Sequence, residues 1–235
     1  MYTYAFLKPL KVPFELPFGL VSPLELIISN KEVAALVEPE LSLEDLKDNE
    51  ERLMEAVLSH DRVLCEMFQK TTVLPLRFGT YFLSREILLE HLESQSDLYL
   101  QKLNYFEGNA EYLLKSIPRE YSPEQLLPAS ETTEPASGRN YFLQKKRAYQ
   151  LQQEYQQQQK QEWEELLTFF NRHYDTLLGE PQDGDAFGRY AIERLYLLVS
   201  RQEEFLLGER VQQWQLLTPH WELHLSNALP PYHFL

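Results

Sequence analysis

Cysteine is nearly absent: the chain of 235 residues carries one, Cys65. An internal disulfide is therefore excluded. Its neighbours Leu64 and Met67 predict a buried thiol on a helix, and Glu66 offers no electropositive setting that would make it reactive. Glycine is also scarce, with eight in all, and none falls into a phosphate-cradling G-x-G-x-x-G or G-x-x-x-x-G-K-[ST] spacing. Basic residues are outnumbered 22 to 36, a formal net charge of −14, and the longest basic run is Lys145-Lys146-Arg147. Nucleic acid and anionic lipid surfaces both require a basic face, so both are expected to be excluded as partners. Long apolar runs are missing, Leu195–Val199 being typical, against the roughly 20 residues that span a bilayer. No basic stretch precedes the first apolar residues, which does not fit a secretory signal. What remains is ordinary: 43% hydrophobic and 25% charged residues predict a globular protein with a buried core. A reduced, cytoplasmic setting is the expectation.

The first 40 residues are rich in strand formers and proline. Tyr2–Leu7 alternates large and smaller side chains as a strand does, and Leu24–Ser29 and Val33–Val37 are two further short strands, with Pro9, Pro13 and Pro17 between. Leu41 and Ser42 then open a helix: Ser42 lies three residues before Asp45, and Leu41 and Leu46 are spaced as a hydrophobic staple. Leu43, Leu46, Leu53, Val57, Leu64 and Met67 are its expected seam to about Phe68. Val73–Phe82 is strand-like but broken at Pro75 and Gly79. Ser84 caps a second helix with Ile87, Leu88, Leu92, Tyr99, Leu103 and Phe106 on its apolar side, and Gly108 is placed to end it in a left-handed conformation.

Ala110–Ile117 reads as a strand, and residues 118–139, with four prolines among Ser, Thr and Glu, as a long loop. The longest helical pattern runs from Asn140 to about Leu178, its seam formed by Ala148, Leu151, Tyr155, Trp163, Leu166, Phe170, Tyr174 and Leu177. Its middle, Gln150–Gln161, holds eight glutamines and is expected to face solvent. Arg189–Ile192 and Arg194–Val199 follow as strands, Gln202–Leu217 as a helix with Phe205, Leu206, Val211 and Trp214 apolar, and Trp221–Leu225 as a last strand. The predicted fold is α+β in two domains. Residues 1–108 form a sheet-and-helix domain, and 109–235 a β-α-β-β-α-β, ferredoxin-like domain with a variable loop at 118–139 and a long helix.

Chemistry is thinly represented. Ser59-His60-Asp61 has triad residue types, but consecutive helical side chains diverge and cannot form a relay. His220, Glu222 and His224 would share one face of a strand and match a two-histidine, one-carboxylate metal set. A half-buried strand with Trp221, Leu223 and Leu225 inward produces the same alternation unaided. Arg77, inside an apolar run, is expected to be buried in a structural ion pair. Residue chemistry alone implies no enzyme and no cofactor.

The run Val73-Leu74-Pro75-Leu76-Arg77-Phe78-Gly79-Thr80, preceded by the helix Glu55–Met67, resembles a segment shared by the gas vesicle protein F and L family. The ending Pro230-Pro231-Tyr232-His233-Phe234 is similar to that family's close, as are Gly108-x-x-Glu111-Tyr112 and Gly138-Arg139. Departures are Tyr112 in place of tryptophan, Asn227-Ala228 before Leu229-Pro230, and the glutamine-rich tract. The resemblance implies a modified ferredoxin-like second domain and a minor component or assembly factor of gas vesicles, otherwise cytoplasmic. The implied partners are the small hydrophobic shell protein and other gas vesicle accessory proteins. Candidate contact residues are Leu74, Pro75, Leu76, Arg77, Phe78, Gly79, Pro230, Pro231, Tyr232 and Phe234. The rival class is a ferredoxin-like metal- or ligand-binding protein or enzyme using the His220/Glu222/His224 face.

Overall fold

The computed structural model describes residues 1–9, 15–42, 50–121, 138–180, 182–183 and 191–235. Asp45 and Leu46, the partners of the expected Ser42 cap and Leu41 staple, and most of the 118–139 loop lie outside the described residues. The fold is α+β, and the chain divides into two compact units. The first comprises Met1–Tyr112, Leu198–Gln202 and Asn227–Leu235; the second comprises Leu113–Leu197 and Glu203–Ser226.

In the first unit β1 (Tyr2–Leu7), β2 (Glu25–Ile28), β3 (Ala34–Glu38) and β4 (Val73–Pro75) form an antiparallel sheet in the order β2-β3-β1-β4. All six residues of β1 are buried. Simple alternation would put Tyr2, Tyr4 and Phe6 on one face, but the register with β3 slips between Thr3 and Ala5, a bulge at Tyr4. The bulge turns Tyr2 and Tyr4 toward helix α1 (Glu50–Phe68), while Phe6 packs on the opposite face. That opposite face holds a core of Phe6, Ile27, Ala35, Val37, Leu74, Leu88, Leu92, Leu103 and Phe106.

Helix α1 buries Ala56, His60, Val63, Leu64, Met67 and Phe68, a stripe at i, i+4, i+7, i+8 spacing. Leu53 and Val57, expected in that seam, are exposed instead together with Met54 and Leu58. The helix carries two adjacent apolar stripes, and spacing alone could not say which one the sheet would cover. The second helix divides into α2 (Arg85–Ser94) and α3 (Ser96–Phe106). Ser94 and Ser96 hydroxyls bond the carbonyls of His91 and Glu93, competing with the helical ladder at the break. Ser84 caps α2 through the Ile87 amide, and Gly108 adopts φ +78° just beyond α3, both as expected.

In the second unit the sheet order is β6-β8-β5-β9, from β5 (Asn109–Pro118), β6 (Asp175–Leu178), β8 (Ala191–Ser200) and β9 (Trp221–Leu225). A short β7 (Gln182–Asp183) pairs antiparallel with β8. Helices α4 (Gly138–His173) and α5 (Glu204–Leu217) follow β5 and β8. Helix α4 ends five residues before the expected Leu178. Leu177 and Leu178 fit either period, and sheet pairing takes them, the Gly179 amide bonding the Arg194 carbonyl at 2.8 Å. A Cβ on Gly179 would press into Tyr196 and Arg194, so this glycine permits close strand approach as well as stopping the helix. The strand expected at Arg189–Ile192 merges into β8 from Ala191 onward, and Arg189 and Tyr190 lie outside the described residues. Helix α5 buries Leu207 and Val211, whereas its other apolar residues Phe205 and Leu206 are exposed.

Candidate functional site

The run Val73–Thr80 is the best-marked segment of the sequence, and the structure shows what supports it. After β4 the Leu76 amide still bonds the Tyr4 carbonyl, and then Arg77–Thr80 forms a β-turn closed by the Thr80 amide on the Arg77 carbonyl at 3.1 Å. Gly79 occupies its third position at φ +88°, a conformation that only glycine adopts at little cost. Beyond the turn the chain rejoins the flank of β1, with Tyr81 bridging Tyr2. The expected break at Gly79 is therefore an outward turn in an otherwise continuous edge.

Behind the turn lies a buried polar network. His60 Nε2 sits 3.0 Å from the Leu76 carbonyl, which can only accept, so that nitrogen carries the proton. Nδ1 must then accept, and the Tyr2 hydroxyl donates to it at 2.7 Å. The Gly79 amide donates to the same hydroxyl oxygen at 3.4 Å. Tyr4 stacks on the His60 ring, and Phe78 meets it edge-on. Burial lowers the His60 pKa, keeping the imidazole neutral as its two hydrogen bonds require, and pushes Tyr2 up to about 12.

Tyr4 connects this network to Glu38, which is 0% exposed. The Tyr4 hydroxyl donates to Oε2 at 2.5 Å, beside the Leu20 amide at 3.0 Å. Oε1 accepts from the amides of Val21 at 2.6 Å and Ser22 at 2.8 Å. The charge is thus held by three backbone donors and a phenol. Burial, then the hydrogen bond and charge of Glu38, raise the Tyr4 pKa well beyond the usual phenol range. Gly19 leaves room for the carboxylate, since a Cβ there would overlap it.

A second set of anchors holds the chain end. Glu111, also fully buried, accepts from the His233 amide at 2.8 Å and pairs with its Nδ1 at 2.6 Å. Burial raises the Glu111 pKa, opposed by those His233 contacts. The Tyr232 hydroxyl donates to Asp61 at 2.6 Å, Pro230 and Pro231 are buried, and Phe234 packs against the core. Burial also raises the Cys65 thiol.

Of the ten motif residues, Leu74, Pro75, Pro230 and Pro231 are buried, Leu76, Phe78, Tyr232 and Phe234 are half-buried, and Arg77 and Gly79 are exposed. The buried ion pair expected for Arg77 does not exist: the guanidinium is exposed, because Arg77 is the first residue of the turn that carries the chain away from β1. Ser59, His60 and Asp61 diverge as predicted, toward Arg62, Leu76 and Tyr232. His220, Glu222 and His224 do not converge. His220 pairs with Glu162 on α4 at 2.5 Å, while His224 and Glu222 pair with each other at 2.9 Å at the surface. Among the described residues no group of three or more His, Cys, Asp or Glu is placed to hold a metal. Sequence reasoning passed over Glu38, His60 and the Glu111–His233 pair as a set. The available signals were a glutamate ending an apolar strand and the position of Glu111 after Gly108.

Three comparisons bear on this arrangement. The family model for the gas vesicle synthesis protein GvpL/GvpF matches residues 1–235. No curated protein matches. Among solved structures, the fold resembles gas vesicle protein GvpF from Anabaena sp. PCC7120, at TM-score 0.67 and 16% identity, covering 99% of this chain and 94% of that one. It also resembles GvpF from Microcystis aeruginosa, at TM-score 0.66 and 13% identity, covering 99% and 97%. With a buried network beneath the Val73–Thr80 turn, an anchored Pro-Pro-Tyr ending and a family match over its whole length, the chain belongs to the gas vesicle GvpL/GvpF family.

Proposed function

We propose that the chain is a minor gas vesicle component that binds the small hydrophobic shell protein, keeps it from aggregating and helps nucleate vesicle growth. It acts by binding and not by catalysis. The observation that carries the proposal is the sheet edge beside the family's motif, whose apolar side chains are exposed just past the turn. β4 is an edge strand, and past its turn Tyr81 and Leu83 stand in solvent, Leu83 at 83% exposure. An edge with unpaired backbone groups and adjacent apolar side chains can take an extended hydrophobic segment by strand addition. The formal charge of −14 would keep such a complex dispersed. In this reading Arg77 and Phe78 contact the partner, while Leu74, Pro75, Pro230 and Pro231 act by holding the edge in position. The cavity-like, polar chemistry that the rival metal-binding reading needs is not favoured, because His220 is turned to Glu162.

Co-expression with the shell protein tests the proposal. The shell protein should remain in the supernatant with the native chain and sediment when Tyr81→Glu and Leu83→Glu are introduced together. A shell protein that sediments equally with either form would overturn it. Gene deletion gives the cellular counterpart, with loss of vesicles expected.

A further inference from the structure

Two surfaces of this chain lie outside that edge and are complementary to each other. The first is the start of α4. Residues 138–153 contain Arg139, Lys145, Lys146 and Arg147 and no acidic residue, in a chain that has 36. Phe142, Leu143 and Tyr149 are exposed here, Phe142 at 69%, and their spacing places Phe142 and Tyr149 two turns apart on one side. The second is the start of α1. Leu53, Met54, Val57 and Leu58 form an exposed i, i+1, i+4, i+5 strip, with Leu58 at 64%, flanked by exposed Glu50, Glu51 and Glu55 and a single exposed base, Arg52, so that its rim is net acidic. The α4 strip is about two helical turns long, roughly 11 Å, and the α1 strip about one and a half, roughly 8 Å.

We propose that the basic, apolar start of α4 docks onto the acidic, apolar start of α1 in a second copy of this chain. Two copies of a chain with net charge −14 repel at long range, so their attractive approach must run through a basic patch. The arm of α4 supplies the longest basic run in the sequence, and α1 offers net opposite charge around an apolar strip short enough for that arm to cover. Neither strip would remain wet in the contact, because apolar area is removed on both sides. The contact is heterologous: each copy uses its arm on one neighbour and its α1 on another. Association therefore extends head to tail instead of stopping at a two-fold dimer, unless the rotation closes a ring.

Sedimentation velocity on the full chain tests this. The weight-average mass should rise with concentration from about 10 μM to about 1 mM, the range of small, charge-steered interfaces. It should fall when salt is raised from about 0.1 to 1 M, as the Debye length shrinks from about 10 to 3 Å. Lys145→Glu with Lys146→Glu should weaken association at least about tenfold, and so should Glu51→Lys with Glu55→Lys. Circular dichroism would confirm that both reversed forms keep their helices. Mixing the two reversed forms restores complementary charge and should restore association. A native chain that stays monomeric at about 1 mM, reversed forms that associate like the native one, or a mixture that stays dissociated would each overturn the proposal.

Discussion

Replacing Glu38 is the sharpest probe of how this fold is held. Its carboxylate is fully buried and accepts from the Leu20, Val21 and Ser22 amides and from Tyr4. In Glu38→Gln the amide oxygen can still serve Val21 and Ser22. The new amino group then faces the Leu20 amide, donor against donor, while the Tyr4 hydroxyl can rotate to accept. Hydrogen bonds to a charged group contribute about 1.5–3 kcal/mol each, against about 1 for neutral ones. One lost bond and three weakened ones should cost about 3 kcal/mol. Glu38→Ala leaves the Ser22 amide and the Tyr4 hydroxyl buried without acceptors, at about 1–3 kcal/mol each, so about 4 kcal/mol is expected. That is a large share of the 5–15 kcal/mol typical of a domain. Urea unfolding measures the total, and hydrogen exchange at Leu20, Val21 and Ser22 reads the local effect. A Glu38→Gln protein within about 0.5 kcal/mol of native, with those three amides still slow, would refute the assignment of Glu38 as the anchor of that loop.

Three further outcomes are expected. His60 is neutral in the fold with its pKa lowered by burial, so the unfolded chain binds the extra proton. Its contribution is complete above the unfolded value of about 6.5 and is lost as pH falls from there through the lower folded value; a His60→Phe protein should lose that part of the pH dependence of urea midpoints. His233→Ala removes the ring partner of a fully buried carboxylate, with a cost of about 3 kcal/mol expected in thermal or urea unfolding, whereas His224→Ala at the surface should change stability by less than about 0.5 kcal/mol. Gly79→Ala forces a side chain into φ +88° and should destabilise by about 1 kcal/mol or more, with Gly79→Asn milder, since asparagine tolerates that region better.

Much of this was legible in the residues. The strands at Tyr2–Leu7 and Asn109–Pro118, the Ser84 cap, the positive φ at Gly108 and the solvent-facing glutamines of α4 follow from local pattern and turn chemistry. Where pattern failed, two solutions were locally equivalent. Leu53 and Val57 lie beside the stripe that α1 actually buries, and Leu177 and Leu178 suit a helix end and a strand alike. The apolar run around Arg77 suggests a buried strand, whereas the turn at Arg77–Thr80 brings its side chain to the surface. The candidate site divides in the same way. Its turn was visible in the sequence, but the residues that hold it from behind come from 16 to 77 positions away.

By itself the sequence determined the α+β class, the place of most helices and strands, the lack of nucleotide-loop motifs, and the likeness to the gas vesicle family. These depend on composition, period and short motifs, which are local quantities. Only the tertiary structure decided which apolar stripe of α1 is covered, that a bulge at Tyr4 sends neighbouring tyrosines to the helix while Phe6 goes to the opposite core, and that Glu38, His60 and Glu111 are the buried polar anchors. Those outcomes depend on desolvation and on donors and acceptors far apart along the chain, and a buried charge is tolerable only where the fold brings its partners within hydrogen-bond reach.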